Sequence, residues 1–69
     1  MTKINEKIQQ KADELRSSYA DSTAEEIYAD ARNNHIWALG SNTLEEATEY
    51  EIIADALRLI AKEKVQEAN

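Results

Sequence analysis

The sequence predicts an all-α chain of three helices, and three observations lead there. Proline is absent and Gly40 is the single glycine, so breaks in helical structure are few. Apolar residues recur at steps of three and four through three separate stretches. The pattern Thr-x-Glu-Glu stands before the second and third of these, at Thr23 and Thr43, as a threonine cap followed three residues later by glutamate.

The first helix is expected over about residues 3–19. Ile4, Ile8, Ala12, Leu15 and Tyr19 form one narrow apolar stripe that needs a partner surface. Met1, Ile8 and Leu15 also lie seven apart, but two heptads are too few for a coiled coil. Ser17-Ser18 lower helix propensity near its end.

The second helix is expected over about residues 23–39, opened by either of two overlapping capping boxes, Ser22 with Glu25 or Thr23 with Glu26. Ala24, Ile27, Tyr28, Ala31, His35, Ala38 and Leu39 share its inner face at about 100° per residue. On the same wheel Trp37 lies opposite Tyr28, on the side of Glu26, Asp30 and Asn33. Gly40 is expected to end this helix in the left-handed conformation. Only residues 40–42 then separate it from the next, which requires an antiparallel hairpin.

The third helix is expected over about residues 44–65 and has the widest apolar coverage. Tyr50, Ile53, Ala54, Leu57, Ile60 and Ala61 make its main stripe, while Ile52, Ala56 and Leu59 continue around the back. Glu51, Asp55, Arg58 and Lys62 form the remaining polar strip. One neighbour cannot cover such a helix. Either it lies between the other two, or Ile52, Ala56 and Leu59 form a subunit interface.

Residues 1–69 make a single domain, small enough that its core is marginal alone. With no cysteine and one histidine, disulfides are excluded and a structural zinc site is effectively excluded. Self-association remains as a source of stability. The expected architecture is therefore a small three-helix bundle, or a helical hairpin plus an N-terminal helix completed by oligomerisation; a homo-oligomer, and a dimer among these, is favoured.

The formal net charge is −6, and its distribution is uneven. Residues 1–20 carry +1. Residues 21–55 carry nine carboxylates, Asp21, Glu25, Glu26, Asp30, Glu45, Glu46, Glu49, Glu51 and Asp55, against Arg32 alone, a net of −8. First-turn glutamates answer partly to the helix dipole. The like-charge pairs Glu26/Asp30, Glu45/Glu49 and Glu51/Asp55 stand four apart and oppose helix stability, so they answer to some other demand. This surface disfavours direct nucleic-acid binding, which needs lysine and arginine on the phosphates, and favours a protein partner of basic character. No apolar run approaches the roughly 20 residues of a bilayer span, no signal-peptide pattern opens the chain, and the lack of cysteine fits the cytoplasm. A soluble cytoplasmic protein without a membrane partner is the expectation.

For function, the residues point to a non-enzymatic interaction module that binds a macromolecule and inhibits it by occupying its surface. Trp37 and Ile36, with Glu26, Asp30 and Asn33 beside them, are the candidate partner-binding set, since exposed tryptophan is a recurrent hot spot; packing of Trp37 on the first helix is the competing role. Glu25, Glu45, Glu49, Glu51 and Asp55 form the acidic surface. His35 is expected to be buried and hydrogen-bonded to Tyr28 or Tyr50. It lacks the glutamate three residues earlier that a bundle-type di-metal site requires, and no nucleophile stands beside it. No metal, cofactor or catalysis is expected. Two alternatives are an acidic nucleic-acid mimic blocking a basic nucleic-acid-binding protein, and an oligomer that sequesters a nucleotide using Arg32, Asn33, Asn34, Tyr28 and Trp37.

Overall fold

The computed structural model describes residues 3–68. Three α-helices follow in order, α1 (Lys3–Leu15), α2 (Ala24–Leu39) and α3 (Leu44–Ala68), with no strand among the described residues. At about 1.5 Å per residue, the 25 residues of α3 run almost the whole of the longest dimension, 39 Å. Helix α3 is therefore the spine. Both α1 and α2 pack on it, whereas among the described residues no Cα of α1 comes within 8 Å of one in α2. The arrangement is up-down-up but open, with α3 in the middle.

The wide apolar coverage of α3 follows from this position. Ala56, Leu57, Ile60 and Ala61 join Ala12 of α1 with Ile27 and Ala31 of α2 in one buried cluster, with Ile8, Leu15, Tyr19, Ala24, Ile53 and Leu59 packed around it. Four of the seven buried members are alanines, and only Ile27 and Leu57 are large and fully buried. Small side chains let the helix backbones approach closely but leave little apolar mass to bury. The structure places the expected interface set Ile52, Ala56 and Leu59 at different depths. Ala56 is wholly buried, Leu59 packs on the core, and Ile52 is half-buried.

Helix α1 stops at Leu15, four residues before its expected end. Residues 16–21 coil instead into successive turns, with Tyr19 N–H donating to the Leu15 and Arg16 carbonyls at 3.2 and 3.3 Å and Ser22 N–H to the Tyr19 carbonyl at 3.1 Å. Ser17-Ser18 weaken the helix here, and leaving it lets Tyr19 reach both the core and Asp30. At its other end α3 continues through Ala68, beyond the expected 65, because Lys62, Glu63, Lys64, Gln66 and Glu67 are mostly good helix formers.

Of the two possible capping boxes before α2, Thr23 with Glu26 is the one formed. Thr23 Oγ1 accepts the Glu26 N–H at 3.2 Å and Glu26 Oε1 accepts the Thr23 N–H at 2.8 Å. Thr43 Oγ1 likewise accepts the Glu46 N–H at 3.1 Å at the start of α3.

Gly40 corrects the expectation of a left-handed stop, for its φ and ψ are −92° and 2°, open to any residue. The last turn tightens instead. Gly40 N–H reaches the Ile36 and Trp37 carbonyls at 3.2 Å, Ser41 N–H reaches that of Ala38 at 3.2 Å, and Ser41 Oγ donates to the Trp37 carbonyl at 2.9 Å.

The buried face of α2 is Ile27, Ala31, Asn34 and Ala38, rotated by roughly 50° from the expected one at 100° per residue. Tyr28 and Leu39 are consequently exposed. The rotation takes Asn34 inward, where its Nδ2 donates to the Asp30 carbonyl one turn back at 2.9 Å. A local partner satisfies that group's hydrogen bonding without any other element.

Candidate functional site: the hairpin end

The two ends of the spine are built differently, and the candidate site follows from the contrast. At the end where α1 turns toward α2, polar side chains tie the elements together. Arg16 reaches α3 as a fork, Nε and Nη2 donating to Glu63 Oε1 and Oε2 at 3.0 and 2.8 Å, while its Nη1 engages Asp13. Lys64 Nζ donates to the Ala20 carbonyl at 2.9 Å, and Tyr19 Oη donates to Asp30 Oδ2 at 2.8 Å. The guanidinium fork holds the Glu63 carboxyl below its usual pKa, and in turn raises that of Arg16. Burial, then the bond to Asp30, pushes the Tyr19 hydroxyl up. The Thr23 backbone and hydroxyl bonds hold Glu26 down.

At the opposite end, where α2 turns into α3, large apolar side chains face outward. Ile36 and Trp37 are each 54% exposed, Leu39 is 75% and Leu44 85% exposed. Ile4 at the start of α1 is exposed too. It shares with Leu44, Ala47, Thr48, Glu51, Ile52 and Asp55 a shallow notch of about 220 Å³. Five of the seven exposed large apolar residues among those described thus lie at one end of a 39 Å molecule.

Trp37 meets the ring of Tyr50 on α3 edge-to-face, with centroids 5.9 Å apart and planes at 60°. It lies outside the buried core cluster. Such a pair fixes the indole's orientation and is worth about 0.5–1.5 kcal/mol beyond area burial, yet half of the side chain stays in water. On the other flank of the α2/α3 seam His35 Nδ1 lies 2.8 Å from Glu51 Oε1. This corrects the expectation of a buried histidine bonded to Tyr28 or Tyr50: the side chain is 42% exposed, since the rotation of α2 places position 35 at the edge of the contact face.

Paired and unpaired carboxylates occur at both ends. Lys11 with Glu14, and Arg16 with Asp13 and Glu63, neutralise the carboxylates near the core. Near the hairpin Glu51 has His35 and Asp55 has Arg58 at 2.8 Å. Glu45, Glu46 and Glu49 are exposed and form no salt bridge among the described residues, nor does Glu25 at the start of α2.

The structure divides the expected partner-binding set. Ile36 and Trp37 stand together at the hairpin, with Asn33 exposed one turn away. Glu26 lies 11 residues from Trp37, roughly 16 Å along the helix, where its carboxylate is engaged with Thr23, while Asp30 is engaged by Tyr19. Those two belong to the fold's polar ties. Tyr28 and Arg32 share an open hollow with Glu25 and Ala29, and Trp37 is not part of it, so the groups proposed for a nucleotide are not gathered within one chain. Sequence reasoning missed Leu39, Leu44 and Ile4. The available signal was that leucines flank the hairpin turn immediately on both sides, where no third element can cover them.

A second hollow of about 350 Å³ lies between α1 and α3, lined by Lys7, Gln10, Lys11, Glu14, Glu49, Ile52 and Ile53. Among the described residues no group of three or more His, Asp or Glu side chains is placed to hold a metal ion, and no helix is long and apolar enough to cross a membrane. The chain matches no family model, no curated protein and no solved structure.

Proposed function

We propose that this chain is a non-catalytic interaction module that docks on a protein partner through its hairpin end, with Trp37 as the anchor, Ile36 next to it and Leu39 and Leu44 at the same end. The observation that carries the reading is the segregation of exposed apolar side chains: Ile4, Ile36, Trp37, Leu39 and Leu44 gather at one end. Scattered apolar residues need no explanation, but a cluster rimmed by charge is the usual mark of a contact surface. A tryptophan held by one aromatic neighbour loses little side-chain freedom on binding. Inhibition follows where the covered surface is one the partner needs.

A polyanion mimic would present carboxylates without apolar residues among them; here Leu44 directly precedes Glu45 and Glu46, which favours docking over mimicry. Association of a mimic should weaken steeply with salt, that of an apolar dock much less.

Site-specific photo-crosslinking tests the proposal. A photoreactive residue at position 36 or 44 should yield the same discrete adduct in extract of the source cells, and Trp37→Ala should abolish it. The same group at exposed Gln9 on α1 should yield none. Equal adducts from all three positions, or an adduct at position 36 indifferent to Trp37→Ala, would overturn it.

A further inference from the structure

Resting on the reading just given, we infer that the partner presents a cationic amphipathic segment, its apolar side chains on the Trp37/Leu44 end and its lysines or arginines on Glu45, Glu46 and Glu49. The complementarity is on the surface itself. These three carboxylates sit on the first two turns of α3 beside Leu44, all exposed, and form no salt bridge among the described residues. Glu45 and Glu49 are four apart and repel each other along the helix. Cations from outside relieve this repulsion, and desolvation against an apolar neighbour strengthens the attraction.

Of the chain's own cations, Lys7 and Lys11 line the α1/α3 hollow that Glu49 also lines, without a salt bridge to Glu49 among the described residues. Lys11, Arg16 and Arg58 are in pairs with Glu14, with Asp13 and Glu63, and with Asp55, and Lys64 is bonded to the Ala20 carbonyl at the far end. The notch at the same end, which none of these three carboxylates lines, has the same mixed chemistry. Ile4, Leu44, Ala47 and Ile52 supply apolar lining, and Glu51 and Asp55, paired with His35 and Arg58, line it too. An aliphatic stem carrying a positive head matches such a surface, as lysine and arginine do. A second copy of this chain matches it poorly, since a two-fold contact would bring the same carboxylates face to face. An anionic lipid surface would be repelled.

The test uses designed helical peptides of equal length: leucine–lysine amphipathic, leucine–glutamate amphipathic, and serine–lysine without an apolar face. Trp37 is the single tryptophan, so its emission reports binding directly, and calorimetry supplies affinities. The leucine–lysine peptide should blue-shift Trp37 and bind at least ten-fold more tightly than either other peptide. Its affinity should fall several-fold between about 20 and 200 mM salt, as screening shortens from roughly 20 to 7 Å. Reversing Glu45, Glu46 and Glu49 to lysine should preserve the helical circular dichroism and invert the preference toward leucine–glutamate. The reversal Glu6→Lys on α1 should leave it unchanged.

Equal binding of the two amphipathic peptides, or tighter binding of serine–lysine than of leucine–lysine, would overturn the inference. So would failure of all three peptides. If that failure coincides with retained, Trp37-dependent crosslinking at positions 36 and 44, the docking end stands and only the cationic partner falls. If crosslinking also ignores Trp37, the underlying reading falls with it.

Discussion

The two ends of α3 show what a small helical chain can do with limited apolar mass. At the end near Glu63, Ile27, Leu57 and Ile60 are buried among alanines, and Arg16, Tyr19 and Lys64 tie the elements across. At the hairpin end the same kinds of side chain, Ile36, Leu39 and Leu44, face water, and Glu45, Glu46 and Glu49 form no salt bridge among the described residues. One end carries the stability. The other is free to change without unfolding the chain, which is the condition for a contact surface to be separable from the fold.

The largest expected effect is therefore at the buried end. Leu57→Ala should cost about 2–5 kcal/mol, enough in a domain this small to leave much of the chain unfolded, while Leu44→Ala should fall within about 0.5 kcal/mol of wild type. Urea denaturation followed by circular dichroism measures both; equal losses would erase the distinction between the ends. Tyr19→Phe removes the bond to Asp30 and should cost about 1 kcal/mol, and Thr23→Ala, which removes the cap of α2, should cost about the same.

Acid should act on the same end. The carboxyls of Glu63 and Glu26 are held below their usual value of 4.5, so their contribution is present above about pH 4.5 and is lost as pH falls through the depressed values. The Tyr19 hydroxyl is raised above 10.0, so its contribution is present at neutral pH and is lost as pH rises through the raised value. Stability measured against pH should decline at both extremes. Glu63→Gln should flatten the acid side and Tyr19→Phe the alkaline side. An unchanged acid limb in Glu63→Gln would remove the Arg16 fork from the account.

The smallest effect is at the turn. Gly40→Ala places a Cβ no nearer than 3.8 Å to the Trp37 carbonyl, at a φ that alanine adopts freely, and should stabilise by about 0.4–1 kcal/mol through the unfolded chain. A loss of stability would show that the turn needs glycine after all.

Periodicity and capping chemistry were enough to read three helices, the hairpin and the central position open to α3, because each depends on residues close in sequence. What stayed hidden was set by contacts between elements. Tyr19 leaves its helix to reach Asp30 and the core. The rotation of α2 depends on whether Asn34 or Tyr28 faces α3, and a wheel that scores asparagine as polar cannot know that the Asp30 carbonyl satisfies it. Glycine is a good signal for a left-handed stop, but Ser41 supplied another way to satisfy the last carbonyls. For the candidate site, Ile36 and Trp37 were legible as an aromatic and apolar pair on the wrong side of their helix. Leu39 was assigned to the inner face of its helix and Leu44 to no face, though their position at the tip leaves both exposed.

Residue-resolved hydrogen exchange under native conditions tests the asymmetry most directly. The slowest amides should be those of Ile27, Ala31, Leu57, Ile60 and Ala61, exchanging only through global unfolding, with protection falling steadily toward residues 36–48. Uniform protection along α3, or slowest exchange at the hairpin, would contradict the division of the molecule into a stabilising end and a docking end.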